Sequence, residues 1–135
     1  MIQVIVYSNE NGGVSVCQPT ENHSIEEVKN KNTPSDSIIV NSSDLPTEDD
    51  DFFNAWELHN GIVSVNLTKA KELTKKRLRA EREPLFVAQD VAFQRALETN
   101  ADTTKIVAEK ERLRDITNLA DSCTTTTQLR ALKVA

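Results

Sequence analysis

The spacing of apolar and polar positions changes near residue 66, and this change divides the chain into two halves. In the first half, short apolar runs at 2–8 and 13–18 flank the dipeptide Asn11-Gly12. Asparagine and glycine accept the positive φ angles of a tight turn, so the two runs predict a β-hairpin. A run rich in β-branched residues at 37–40 predicts a third strand in the same sheet.

Turn and capping residues complete the prediction for this half. Ser24 and Glu27 have the spacing of a capping box and predict a short helix over 25–31. Thr47 and Asp50 have the spacing of a second, weaker capping box. The residues on either side of Asn60-Gly61 predict another hairpin, with strands at 56–58 and 62–65. These elements indicate a small sheet domain that carries one short helix.

The second half follows helical spacing from residue 67 to residue 98, with Pro84 as its only breaker. Asn66 is placed to cap the start of this helix. Proline inside a helix removes one backbone hydrogen bond, whereas proline at the first position of a helix is well tolerated. The sequence therefore allows one long kinked helix or two helices, the second starting at Pro84. The kinked helix is favoured because no loop-forming residues flank the proline.

Apolar side chains are distributed unevenly along this helix. Beyond Pro84 they cover more than half of its circumference, which predicts a segment that is covered on most sides. Before Pro84 the apolar face is thin and lysines are frequent, which predicts a segment that is exposed to solvent or bridges outward. The apolar excess beyond the proline predicts a contact with a partner or a second copy through Phe86, Val87, Phe93 and Leu97.

A second helix is predicted over 103–120, after the polar break at 99–102. Its apolar seam is narrow and consists of Ile106, Leu113, Ile116 and Ala120. A narrow seam and a short break favour an antiparallel helical hairpin. Thr125 and Gln128 predict a last short helix over 128–133. The fold class is therefore α+β, with a sheet domain at 1–65 and a helical hairpin domain at 66–135, or the two fused into one continuous domain.

Charged residues at the two ends of the hairpin suggest how its register is fixed. Arg79 and Arg82 on the first helix and Arg114 and Asp115 on the second are placed to exchange ion pairs. Asp90 lies in an apolar stretch and, if it is buried, needs a partner such as an arginine. The alternative is that all of these charges simply face solvent.

The net charge of −5 conceals a strong asymmetry between the halves. Residues 1–60 contain eleven acidic and two basic side chains, whereas residues 61–135 contain ten acidic and fourteen basic ones. Seven of the basic residues lie within 69–82. This arrangement fits attraction between the halves, within one chain or across a homo-oligomer. It also allows an alternative function, nucleic-acid binding through the basic helix 69–82, although an acidic pI and few aromatics argue against it.

Recognisable chemistry is absent from the sequence. Three glycines form no phosphate-binding loop, and no nucleophile motif or metal spacing occurs, so we expect neither an enzyme nor a cofactor. The acidic triplet 49–51 lacks the alternate spacing of a Ca²⁺ loop. His23 and His59 are expected in exposed loops, and Cys17 and Cys123 as free thiols in a reducing compartment. No apolar run approaches the ~20 residues of a membrane span, and the first residues lack signal-peptide features.

Residues 77–117 resemble the C-terminal region of small bacteriophage tail proteins, namely tail assembly chaperones and tail-fibre-associated accessory proteins. The resemblance rests on Arg79, Arg82, Leu85, Asp90 and Arg95, followed by Lys110 and the run Leu113-Arg114-Asp115-Ile116-Thr117. It implies a non-enzymatic protein that binds a phage tail or tail-fibre protein. Such a protein works in the host cytoplasm during assembly or remains in the virion. The working surface is expected on the helical half, because the sheet half shows no concave cluster of polar groups.

Overall fold

The computed structural model describes residues 2–134 and has an α+β fold in which a small antiparallel sheet precedes long helices. The contacts divide the chain into two compact units after residue 70. Unit 1 contains β1 (Gln3–Ser8), β2 (Val14–Cys17), α1 (Ile25–Asn32), β3 (Ile38–Asn41), β4 (Trp56–His59) and β5 (Ile62–Val65). The helix α2 (Leu67–Glu98) begins in unit 1 and continues through unit 2, which also contains α3 (Thr104–Asp115) and α4 (Thr126–Ala131).

The three-stranded sheet of unit 1 has the order β2-β1-β3, and both pairings are antiparallel. The central strand β1 buries Val4, Ile5 and Val6 in succession, so both of its faces are covered. Val4 and Val6 join a core with Trp56 and Val63 of the β4–β5 hairpin. Ile5 is fully buried on the opposite face. Both predicted hairpins and the third strand are confirmed.

The β4–β5 turn depends on the residues that predicted it. Asn60 and Gly61 have φ angles of 52° and 79°, and positive values at both central positions define a type I′ turn. The short helix α1 also begins as expected, since the Ser24 hydroxyl accepts a hydrogen bond from the Glu27 N–H at 3.2 Å. The second capping box, predicted at Thr47 and Asp50, does not form. Residues Thr47–Ala55 form 3-10 turns, and no side chain caps their start.

The helix α2 runs without interruption through Pro84. A proline at this position deprives the Ala80 carbonyl of its helical donor. Ala80 and Pro84 are both exposed, so water can satisfy that carbonyl. Of the two interpretations that the sequence allows, the structure has the single helix.

Burial along α2 is the reverse of the sequence expectation. Before the proline, Thr74 and Leu78 are only 1% and 0% exposed, so the prediction of a solvent-facing segment is wrong. Leu78 belongs to a core with Leu113, Ile116 and Val134. The missing cover comes from α3 and the C-terminal residues, which are distant in sequence. Beyond the proline, several apolar side chains remain exposed instead.

The second helix is shorter than predicted. It ends at Asp115, and residues Ile116–Ser122 continue as 3-10 turns. Three of the four expected seam residues are buried, while Ile106 is half-buried. The last helix covers Thr126–Ala131 rather than 128–133. The Thr125 hydroxyl accepts from the Gln128 N–H at 3.1 Å, as the capping box predicts.

The helical half contains no glycine, because the three glycines of the chain are Gly12, Gly13 and Gly61. Glycine is the usual residue for ending a helix in the left-handed conformation. At the end of α2 that position is taken by Asn100, with φ 54°. The N–H groups of Ala101 and Asn100 donate to the carbonyls of Ala96 and Leu97, which is a Schellman motif.

Cationic side chains cap the C-terminal ends of the later helical segments. Three side chains donate to carbonyls near these ends, at distances between 2.8 and 3.1 Å: Arg82 to Leu113 and Arg114, Lys71 to Asp121, and Arg77 to Leu129 and Leu132. A fourth, Arg112, donates at 2.9 Å to Val134, three residues beyond the end of α4. Terminal carbonyls lack helical donors and carry partial negative charge, so cations are favourable there. Three of the four donors lie on α2, which thereby ties itself to the segments that follow.

We predict that Arg77→Ala lowers the free energy of unfolding by about 1–3 kcal/mol, because it leaves two carbonyls without a charged donor. Urea denaturation measures the change. The matched control is Lys76→Ala, one position away on an exposed side chain, which should change stability by less than about 0.5 kcal/mol. Arg77→Lys should recover only part of the loss, since an ammonium cannot reproduce the fork of a guanidinium. Equal effects of the two alanine substitutions would contradict the capping role.

Candidate functional site

The first candidate site is a set of exposed apolar side chains on α2 and α3. Val87, Val91 and Leu97 of α2 are 55%, 44% and 59% exposed, and Val107 of α3 is 40% exposed. We call these four residues the hairpin surface. Val87 and Val91 are one helical turn apart and so lie on the same face. Ala96, on another face of the same helix, is buried.

The two phenylalanines expected at the partner contact lie partly under cations. The Arg82 guanidinium carbon is 5.4 Å from the ring centroid of Phe86, and the Lys110 ammonium is 5.0 Å from that of Phe93. Both rings are half-buried. A cation over an aromatic face is attracted by the ring quadrupole. Of the four expected contact residues, the structure thus leaves Val87 and Leu97 open and covers Phe86 and Phe93 in part.

The same two cations connect α2 to α3. Lys110 of α3 pairs with the Asp90 carboxylate at 2.6 Å, and the Asp90 side chain is 62% exposed, so the buried carboxylate for which an arginine partner was suggested is not found. Arg82 donates to the backbone carbonyls of Leu113 and Arg114 instead of to a carboxylate. Each cation therefore combines polar contact across the hairpin with one aromatic face on α2. Sequence reasoning missed Lys110 in this role, although its spacing along the seam of α3 was visible.

Other members of the expected ion-pair set lie at the surface. Arg79, Arg114 and Asp115 are all exposed. Sequence reasoning also left Val91 out of the expected contact residues. Its position four residues after Val87 was the available signal.

The basic segment 69–82 is largely engaged within the chain. Lys69 pairs with Glu57 at 3.0 Å, and Lys75 pairs with Asp121 at 2.7 Å. The hydrogen bond with Asp121 raises the pKa of Lys75 above its ordinary value. Lys71, Arg77 and Arg82 donate to the backbone carbonyls described above. Of the seven basic residues in this segment, Lys76 and Arg79 are exposed.

A polar cluster surrounds Glu57 at the start of α2. Its carboxylate accepts from the Lys69 ammonium, lies 3.1 Å from His59 Nε2, and accepts from the Asn66 amide at 2.8 Å. Asn66 also caps α2, because its Oδ1 accepts from the Lys69 N–H at 3.0 Å. The hydrogen bond from Lys69, followed by those from His59 and Asn66, lowers the pKa of Glu57 to about 2.

Concave surface exists in both units. Unit 1 has a hollow of about 330 Å³ beside Val40, Leu45 and Ile62, and another of about 230 Å³ beside Asn9, Asn54 and Phe53. Unit 2 has a hollow of about 310 Å³ beside Arg77, Leu85 and Lys133. The second hollow of unit 1 is lined by amide side chains, so the expectation that the sheet half lacks a concave cluster of polar groups is wrong. This cluster forms because the β1–β2 turn and the 3-10 segment Thr47–Ala55 come together, which no local pattern indicates.

Ionisable and reactive groups form no further centre in the part of the chain that the structure describes. Among residues 2–134, no group of three His, Cys, Asp or Glu side chains is placed to hold a metal ion. Cys17 and Cys123 are free thiols, one half-buried and one buried. His23 and His59 have mostly exposed side chains. Within the same residues, no helix combines the length and the apolar character that crossing a bilayer requires.

Comparison of the chain with protein-family models, with curated proteins and with solved structures finds no match. Function must therefore be inferred from the residues and their arrangement.

We predict that Glu57→Gln destabilises unit 1 near neutral pH and loses this effect in acid. The pKa of Glu57 falls from its ordinary 4.5 to about 2 in the fold, so the ionised carboxylate is favoured there. Its contribution is complete above about 4.5 and disappears as the pH falls through about 2. Urea denaturation of both proteins across this range measures the difference. Glu21→Gln, on an exposed loop of the same unit, is the control, and a gap between wild type and Glu57→Gln that persists at the lowest pH would contradict the assignment.

Proposed function

We propose that this protein is a non-enzymatic, partner-binding protein of a bacteriophage tail, acting as a tail or tail-fibre assembly chaperone or as a small virion component. The observation that carries the proposal is the hairpin surface, which presents Val87, Val91, Leu97 and Val107 to solvent. Its second support is the resemblance of residues 77–117 to small phage tail proteins, which names the class of partner.

Exposed branched apolar side chains on a helical hairpin suit a protein contact. Burying apolar surface contributes roughly 25 cal/mol per Å², so a partner that covers these side chains gains stability from each of them. An amphipathic helix of a partner can pack on such a face through side chains at helical spacing. A second copy of the chain offers the same face, so self-association belongs to the proposal.

The hairpin is also built to keep its shape when a partner is absent. The Lys110–Asp90 pair, the Lys110 ammonium over Phe93 and the hydrogen bonds from Arg82 to the Leu113 and Arg114 carbonyls connect the two helices. A pre-ordered surface loses less conformational entropy on binding than a mobile one. This favours recognition by a rigid helical face.

Nucleic-acid binding by the basic helix 69–82 receives less support. Contacts to phosphate need cationic side chains that are free to reach the backbone of the nucleic acid. Five of the seven basic residues in this segment already contact carboxylates or carbonyls within the chain. The remaining two, Lys76 and Arg79, are too few for a strong electrostatic footprint.

We expect Val87→Asp to weaken partner capture by about tenfold or more, because it places a charge at the centre of an apolar contact. Tagged full-length protein is used to capture its partner from lysate of phage-infected cells, with mass spectrometry as the readout. Sedimentation velocity of the same variants measures self-association. Mass spectrometry of purified particles then separates a virion component, which remains, from a chaperone, which leaves.

The matched control for this experiment is Ile62→Asp on unit 1. Ile62 is 66% exposed, so the control introduces the same charge at an equally open apolar position. Capture that survives Val87→Asp but is lost in the control would move the binding surface to the sheet unit. Phe93→Asp is less informative, since the ring also supports Lys110.

A separate prediction concerns nucleic acid. We expect no micromolar, salt-sensitive binding of DNA or RNA by the full-length protein, because most basic side chains of 69–82 are engaged. Fluorescence anisotropy at low and high salt measures it. The double charge reversal Lys76→Glu with Arg79→Glu should leave the signal unchanged. Tight binding that falls steeply with salt and disappears in the double variant would favour the alternative function.

A further inference from the structure

The hollow of about 230 Å³ in unit 1 is lined by uncharged residues, half of them asparagines. Its lining is Asn9, Asn11, Gly13, Val14, Phe53 and Asn54. None of these residues carries a charge, although 27% of the chain is charged and residues 1–60 are strongly acidic. Three amides and one aromatic ring converge on the same space.

The turn between β1 and β2 fixes the first of these amides. Asn9 Oδ1 accepts from the Asn11 N–H at 3.0 Å and from the Gly13 N–H at 2.9 Å. With its oxygen held in this way, the Asn9 NH₂ group is left as the donor. A Cβ at Gly13 would lie 3.3 Å from Asn9 Nδ2, so glycine allows the amide this close approach. The donor is therefore placed before any ligand arrives.

The aromatic wall is fixed as well. Phe53 is 39% exposed, and its ring centroid is 4.9 Å from that of Trp56 at an interplanar angle of 58°. Trp56 is buried, and its Nε1 donates to the Asp49 carbonyl at 3.2 Å. The tilted contact holds the phenylalanine ring on a rigid neighbour while part of the ring remains open to solvent.

The side chains of Asn11 and Asn54, both exposed, supply additional amide groups at the rim. An asparagine amide offers two donors and one carbonyl acceptor, so it can bond a hydroxyl group in either direction. The wall of the hollow thus presents donors and acceptors together and no fixed charge. The Lys69 ammonium donates to the Gly12 carbonyl in this turn at 3.1 Å, but it also pairs with Glu57, so it offers an ionic ligand little net charge in return for lost hydration.

We propose that this hollow binds a neutral saccharide, with one sugar ring against Phe53 and its hydroxyl groups on the amides of Asn9 and Asn54. The negative face of an aromatic ring attracts the slightly positive C–H groups of a sugar face. Hydroxyl groups match the mixed donors and acceptors of the amides. This binding site lies outside the hairpin surface and adds a second activity to the proposed function.

The size of the hollow restricts the ligand to one ring. Clefts for drug-sized ligands have volumes of about 300–1,000 Å³. At about 230 Å³ the hollow falls below that range. A single terminal sugar, or one residue of a longer glycan whose remainder stays in solvent, is the fitting occupant. Few contacts then form, so the dissociation constant should be of the order of 1–10 mM.

Trp56 is the only tryptophan of the chain, and its contact with Phe53 makes it a reporter for the hollow. Full-length protein is titrated with the methyl glycosides of glucose, galactose and mannose and with N-acetylglucosamine, up to about 100 mM. Tryptophan fluorescence and the NMR signals of the asparagine amides follow the titration. At least one sugar should give a saturable change, with the largest shifts at the Asn9 and Asn54 side-chain amides and the Gly13 N–H.

Two variants and one control test the contacts. Phe53→Leu keeps apolar bulk but removes the ring, and Asn54→Ala removes one amide; each should weaken binding by about tenfold. Asn30→Ala, on an exposed position of α1 in the same unit, should leave binding unchanged. No saturable response to any of the four sugars would overturn the proposal. So would an equal response to glycerol or to phosphate, or sugar binding that survives both variants.

Discussion

The helical half depends on how a segment without glycine ends its helices. A helix leaves its last four carbonyls without helical donors, and these groups must find partners elsewhere. Asn100 adopts the left-handed conformation once, at the end of α2. Arg82, Lys71 and Arg77 then donate to carbonyls near the ends of the three segments that follow. Since all three project from α2, the same contacts that cap these segments also hold them against that helix.

This use of cationic side chains explains why burial along α2 is inverted. The helical ends that need capping lie beside the first part of α2, and they bring Leu129, Leu132 and Val134 with them. Leu78 is completely buried there, although lysines and arginines surround it in the sequence. Long basic side chains can cover apolar surface with their stems and keep their charged groups at the carbonyls. The apolar residues beyond Pro84 receive less cover, which leaves Val87 and Leu97 available to a partner.

Local patterns were sufficient wherever local physics determines the structure. The Asn60-Gly61 turn, the Ser24 and Thr125 caps and the helical spacing of 67–98 could all be predicted, because each depends on neighbouring residues. The burial of Leu78 could not be predicted, because the side chains that cover it include residues some fifty positions away, such as Leu132. An arginine partner was expected for Asp90 only if it is buried, whereas its side chain is 62% exposed and its partner is Lys110. The hollow beside Phe53 and Asn9 was missed because two distant turns form it.

The fold also explains the charge asymmetry between the two halves of the sequence. An excess of cations in the second half suggested a surface for an anionic partner. In the fold, five of the seven basic residues in 69–82 neutralise carboxylates or helix ends, so they contribute little exposed positive surface. The protein as a whole carries a net charge of −5. A net negative protein repels phosphate backbones at long range. Charge therefore favours the proposed contact through the exposed valines over binding of a nucleic acid.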